Sequence, residues 1–278
     1  SRAIDRADRA AHYDDLFEQV RDHFRRIYCN AEGDLNPEVR TQTGYLLALR
    51  NDLLLPERRP AAVAALKQKI IDNGYKLSTG FVGSCILNEV LAEFGENDLA
   101  YSLLLQTENP SWLYSVHQGA TTIWERWNSY TKATGFGDVG MNSFNHYAYG
   151  AVQEWMYRHI AGIETTEQAP GFAHPILQPK PDTRSAEEIP AGQEKITWVR
   201  TSFASPVGLI ESAWDMTDGF TYTCRVPVAA TLHLPLIGNA ETLVINGVAH
   251  KPDEFRLCPV GKGVTIELAP GAYTFEQK

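Results

Sequence analysis

The residues best suited to chemistry lie between positions 111 and 127, in the string Ser-Trp-Leu-Tyr-Ser-Val-His-Gln-Gly-Ala-Thr-Thr-Ile-Trp-Glu-Arg-Trp. Glu125 stands between Trp124 and Arg126, and Trp127 follows directly. A carboxylate among aromatic rings is what a sugar site needs. Flat ring faces pack against the C–H face of a pyranose while the carboxylate works at the anomeric carbon. An apolar surround raises a carboxylate's pKa and a paired arginine lowers it, so Arg126 acts against the tryptophans. The order of residues leaves that balance open, and a glutamate in such a string also has the plainer reading of a solvated or ion-paired side chain.

A second polar and aromatic stretch, Met141-Asn-Ser-Phe-Asn-His-Tyr-Ala-Tyr-Gly150, precedes a helical pattern and suits the lip of a cleft. Asn145 and His146 carry the donors and acceptors that bind sugar hydroxyls. Their structural alternatives are a helix cap for Asn145 and a satisfied packing role for His146. His117 and Gln118, just before Gly119, are candidates for the same cleft, whereas Trp112 and Trp155 read as core. No GxSxG elbow, HExxH, P-loop or GxGxxG is present, and the histidines lack metal-ligand spacing.

Two compositions supply the scaffold. Up to residue 161 the period is helical. Tyr13, Leu16, Val20, Phe24 and Ile27 form one stripe, Leu46, Leu49 and Leu53 another. Val63, Leu66 and Ile70 lead to a stop at Asn73-Gly74; Leu87, Val90, Leu91 and Phe94 lead to Gly95. Asn97 or Asp98 is the expected cap of a short helix around Leu99 and Leu103. A last helix from about residue 145 is expected to bury Ala148, Val152, Trp155 and Met156.

Residues 164–193 are rich in proline and polar groups and read as a linker and irregular lead-in segment. Beyond Lys195 the period becomes two, as in Phe220, Tyr222, Cys224 and Val226, with a hairpin signal at Asn246-Gly247. The domains expected are therefore a helical one over 1–163, the linker over 164–193, and an antiparallel β-sandwich over 194–278. Trp198 and Trp214 are assigned to inward core positions of the sandwich. Exposure of either would instead mark a carbohydrate-binding face.

The 278 residues carry a net charge of −9, with 44% hydrophobic and 21% charged residues. Scattered acidic residues without a basic stripe do not favour nucleic acid as a partner, and no apolar run is long enough for a membrane helix. Four cysteines without a CxxC pair read as free thiols, with a Cys224–Cys258 disulfide as the alternative. Ser1 is not an initiator methionine and an amphipathic helix begins almost at once, so a chain cut from something longer is expected; its compartment is not legible.

At Thr79-Gly-Phe-Val-Gly83, Pro110-Ser-Trp-Leu-Tyr114, Gly119-Ala-Thr-Thr-Ile-Trp-Glu-Arg-Trp127 and Ser143-Phe-Asn-His-Tyr-Ala-Tyr-Gly150 the chain resembles the glycoside hydrolase family of bacterial α-L-rhamnosidases. Ser205-Pro-Val-Gly208 and Gly219-Phe-Thr-Tyr222 extend the resemblance into that family's terminal sandwich. The resemblance implies part of an (α/α)6 six-hairpin barrel followed by the sandwich, and hydrolysis of terminal non-reducing α-L-rhamnose with inversion. It puts Glu125 on the general base and His146 on a histidine that contacts the sugar; Trp124, Trp127, Asn145 and His117 remain substrate-binding candidates from the residues themselves. L-rhamnose-containing glycosides or polysaccharides are the implied substrates, and no cofactor or metal is implied.

An inverting glycosidase also needs a carboxylic acid about 6.5–9.5 Å from the base. Nothing in residues 1–118 matches the family's acid, and Asp5-Arg-Ala-Asp-Arg9 reads as a solvated helix face. The chain is thus expected to be a fragment that lacks the N-terminal half of the barrel, with apolar helix faces left exposed. The alternative is a non-catalytic carbohydrate-binding or structural unit of such an enzyme.

Overall fold

The structure, a computed structural model, describes residues 5–259 and 261–278. It divides into two compact units, residues 1–151 and 152–278.

The first unit is built from α1 (Ala7–Tyr28), α2 (Gln42–Arg50), α3 (Arg59–Asp72), α4 (Phe81–Glu93), α5 (Asn97–Leu104) and α6 (Trp112–His117), then a two-stranded ribbon of β1 (Tyr130–Thr131) and β2 (Gly135–Phe136). Leu46, Leu49, Leu66, Ile70, Leu87, Leu91 and Leu103 are buried, so α2 to α5 share one core. Thr41 caps α2 by accepting from the Gly44 N–H at 2.9 Å. A Cβ on Gly44 would lie 2.0 Å from the Val39 carbonyl oxygen, so this tight approach admits only glycine. Leu53 falls beyond the end of α2, its N–H bonded back to Ala48 O. α3 and α4 end where expected, on Gly74 and Gly95 with φ of +68° and +84°. The N-cap of α5 lies on Glu96, just before the expected Asn97 or Asp98, which are the first two residues of the helix.

α1 behaves differently. Of its residues only Ala10 is buried, while Tyr13, Leu16, Val20 and Ile27 are exposed. The apolar stripe read from the sequence is present on the helix and open to solvent. Arg25 ties the C-terminal end of α1 to the loop after α2, donating to Leu53 O and Leu54 O.

The helix expected from about residue 145 starts at Ala148 as a 3-10 turn. It runs as α7 over Val152–Trp155 and widens to a π-helix over Met156–Ile160. Met156 is half-buried; Trp155 is fully buried.

The second unit continues with β3 (Ile163–Glu164), β4 (Ile176–Leu177), β5 (Trp198–Ser205), β6 (Gly208–Asp215), β7 (Thr221–Val226), β8 (Ala230–Pro235), β9 (Leu243–Ile245), β10 (Val248–His250), β11 (Arg256–Leu257), β12 (Gly263–Leu268) and β13 (Gly271–Gln277). One sheet has the order β10-β9-β13-β7-β6-β5, the other β11-β12-β8-β4-β3. All pairings are antiparallel except β4 with β8, which is parallel. Asn246 and Gly247 turn the β9–β10 hairpin with positive φ, as the Asn-Gly signal predicts. Leu232, Leu234, Tyr222, Trp214 and Phe275 fill the core. Within it the Trp214 indole donates to Ile160 O, and Ser212 donates to Ala161 O. Burial pushes the Cys224 thiol up to about 12 and raises the Tyr222 phenol. All four cysteines are free.

The proline-rich stretch 164–193 supplies β4 and a fully buried ion pair. Arg184 donates to both oxygens of Asp182, at 2.8 and 2.7 Å, and the Ile196 N–H adds a bond to Asp182 Oδ2. Trp214 is core, as expected, but Trp198 is 58% exposed. The correction follows from strand geometry. Trp198 and Phe203 on β5 are separated by an odd number of residues, so they point to opposite faces, and Phe203 packs against Phe172 while Trp198 turns out.

Candidate active site

Glu125 lies on the irregular segment between α6 and β1, half-buried. Two stretches of chain are zipped together here. The Glu125 N–H donates to Ser143 O at 2.9 Å, and the His146 N–H donates to Ile123 O at 2.9 Å. The Thr122 hydroxyl donates to Phe144 O. The Ser143 N–H closes the loop by donating to Glu125 Oε2 at 2.7 Å. A backbone donor thus fixes one carboxylate oxygen and so the rotation of the side chain, and Oε1 is the oxygen left to act on a ligand. Arg126 does not settle on its neighbour: its guanidinium reaches Asp138 at 3.6 Å.

An open cleft of about 300 Å³ lies in front of this carboxylate. Its walls include Gly80, Phe81, Glu125, Trp127, Met141 and Tyr149. Trp127 stacks on Tyr149 with ring centroids 3.8 Å apart and meets Trp112 edge-on at 5.4 Å. Trp112 is anchored in turn by its indole N–H on Tyr149 O. The rings are therefore held as a block, so a ligand meets a preformed surface and not loose side chains. Burial raises the pKa of the Tyr149 phenol, which keeps it neutral and able to donate.

The sequence-derived candidates fall into three groups. Glu125 and Trp127 line the cleft directly. His146 stands at its margin, stacked on the wall residue Phe81 at 4.6 Å and 15°. Its Nδ1 accepts from the Ala148 N–H at 3.3 Å, so the neutral ring carries its proton on Nε2 and presents a donor there. Trp124 is buried behind the cleft, edge-on to Phe144 and Tyr130. Asn145 and His117 are exposed, and neither is among the described residues that line the cleft. Asn145 is not the cap of the following helix, which starts at Ala148. The sequence reading missed Phe81, Tyr149 and the Ser143 backbone. No local pattern marks them, because the stacking that matters joins residues distant in sequence.

The helical unit holds a carboxylate against a block of rings and is followed along the chain by antiparallel sheets, the order of a six-hairpin glycosidase domain and its C-terminal domain. Residues 1–160 match the bacterial alpha-L-rhamnosidase six-hairpin glycosidase domain, and residues 162–248 the C-terminal domain of the same enzymes. The chain belongs to the bacterial α-L-rhamnosidase family. It is 37% identical over 272 residues to an alpha-L-rhamnosidase of Formosa agariphila, covering 96% of this chain and 28% of that protein. It resembles the crystal structure of Streptomyces avermitilis α-L-rhamnosidase complexed with L-rhamnose, with a TM-score of 0.81 at 34% identity, over 97% of this chain and 24% of that one. The native enzyme of Aspergillus terreus gives 0.79 at 29% identity, over 99% and 28%. The chain thus spans between a fifth and a third of the length of these relatives.

Proposed function

We propose that this chain carries the base side of an inverting α-L-rhamnosidase site, acting on terminal non-reducing α-L-rhamnose in glycosides or polysaccharides. The observation that carries the reading is the carboxylate of Glu125, held by the Ser143 N–H at the mouth of a cleft walled by Phe81, Trp127 and Tyr149. Glu125 Oε1 takes a proton from the attacking water, and the ring block packs on the C–H face and methyl group of the sugar. His146 donates from Nε2 to a sugar hydroxyl. Trp124 supports the loop from behind, and Asn145 and His117 act at the rim, towards the more distant part of the substrate.

Inversion needs a second carboxyl to protonate the leaving oxygen, about 6.5–9.5 Å from the base. Among the described residues lining the cleft, Glu125 is the only carboxylate. This reading assigns the cleft one wall of the complete site, in keeping with the chain spanning about a quarter of the length of its relatives.

The test is hydrolysis of an aryl α-L-rhamnoside with a good leaving group, which needs little protonic help, by the chain and by its Glu125→Gln variant. Loss of turnover by about a hundred- to ten-thousand-fold is expected, with β-L-rhamnose as the first-formed anomer. A variant as active as the parent sinks the base assignment, and a first-formed α anomer sinks inversion. Inactivity of both proteins moves the same comparison to a chain extended by the remaining barrel.

A further inference from the structure

We propose that the outer face of the six-stranded sheet, centred on Trp198, is a second sugar-binding surface that takes a single pyranose of a rhamnose-bearing glycan. Cross-strand register sets two rows side by side: Trp198–Asp215–Thr221 and Arg200–Ala213–Thr223. Trp198 is 58% exposed, and the small Ala213 lies diagonal to it across the strand pair. The Arg200 guanidinium lies over one face of the ring, 5.9 Å from its centroid, at the outer reach of a cation–π contact. Asp215 is held by Thr217, whose N–H donates to Oδ1 at 2.7 Å and whose side chain also bonds the carboxylate. One flat apolar ring thus shares its sheet face with a guanidinium, a carboxylate on the next strand and two threonine hydroxyls one strand further on.

That chemistry matches a pyranose better than a protein. A sugar has one C–H face to set on the ring and a rim of hydroxyls that both donate and accept. A protein partner needs a contiguous apolar centre, and here the ring's neighbours on the same face are Arg200, Asp215 and the two threonines. The surface lies wholly within the second unit and holds no part of the cleft around Glu125. Only the choice of a rhamnose-bearing probe rests on the proposed function.

The experiment is a titration of the isotope-labelled chain with methyl α-L-rhamnopyranoside, followed through the tryptophan indole N–H signals. Trp198 is assigned from Trp198→Phe. Trp214 is the internal reference, because its indole N–H is buried and bonded to Ile160 O in the same unit. The Trp198 signal is expected to shift saturably while Trp214 stays still. Trp198→Ala is expected to weaken the shift of the Arg200 and Asp215 backbone signals at least about tenfold, and Trp198→Tyr to retain part of it. Glu125→Gln is expected to leave the Trp198 titration unchanged, so failure of the catalytic reading and failure of this surface are separable. An unmoved or linearly drifting Trp198 signal overturns the proposal. So does a Trp198 signal that follows protein concentration instead of sugar, which would make the face a contact between copies of the chain.

Discussion

The two units treat their apolar surface differently. In the sandwich, the inner strands hide one face: Leu232, Leu234, Val264, Tyr222 and Phe275 are all at or near zero exposure, and only β5 among the long strands has no buried residue. In the helical unit α2 to α5 close on one another, but α1, the longest helix, buries only Ala10 and shows solvent a stripe of tyrosine, leucine, valine and isoleucine. A period-3.6 stripe records that a helix has an apolar face and says nothing about whether a partner is at hand. The sandwich is bounded by its own hydrogen bonds and ion pairs; the helical unit is bounded on one side by whatever covers α1.

That contrast can be broken most sharply at Arg184. It and Asp182 are at most 1% exposed and hold the lead-in segment on the sandwich. Truncating one partner strands a buried charge, so Arg184→Ala should destabilise the sandwich by about 3–5 kcal/mol, read as a lowered Tm in calorimetry. An unchanged Tm would show that the segment is not part of the sandwich's cooperative unit.

A smaller effect is expected at His233. Burial lowers its pKa, with the Arg256 charge acting in the same direction and Glu267 against it. The fold therefore prefers the neutral ring. Its contribution is present above the unfolded-state pKa of about 6.5 and is lost as pH falls through the depressed folded value. The sandwich should lose stability on acidification below about pH 6.5, and His233→Gln should flatten that slope in a pH series of thermal melts. An identical slope in the variant would place the acid sensitivity elsewhere.

The smallest change in intrinsic stability is expected on α1. Val20→Glu, on the open stripe, should alter the melting of the helical unit by no more than about 0.5 kcal/mol, while reducing any self-association seen by sedimentation. A large loss of stability would mean that the stripe is covered by the chain itself.

Much of this was legible in the sequence. The glycine stops at Gly74 and Gly95, the Asn246-Gly247 hairpin and the change of period are local signals, and local signals survive in one dimension. Asp182 and Arg184 were not legible, because two charges two residues apart look solvated until a core closes over them. For the cleft, the Glu125 string announced the carboxylate. Its fixing by the Ser143 N–H and the Phe81, Trp127 and Tyr149 wall depend on loops meeting across long sequence separations. Arg126, adjacent to Glu125 in the sequence, reaches Asp138, since adjacency along a loop does not fix where a long side chain points. The exposure of Trp198 was not legible, because the phase of β5, which decides the face each side chain takes, is set by its pairing and by the packing of Phe203.

The buried thiol of Cys224 gives the molecule an internal clock. Burial pushes its pKa up to about 12, so it stays a thiol at neutral pH, and the sheet shuts out reagent besides. Cys29 and Cys85 in the helical unit and Cys258 at the sandwich margin are only half-buried. An alkylating probe would therefore mark those three first and Cys224 only when the sandwich opens. Counting labels against time would then separate breathing of the helices from unfolding of the strands in a single tube.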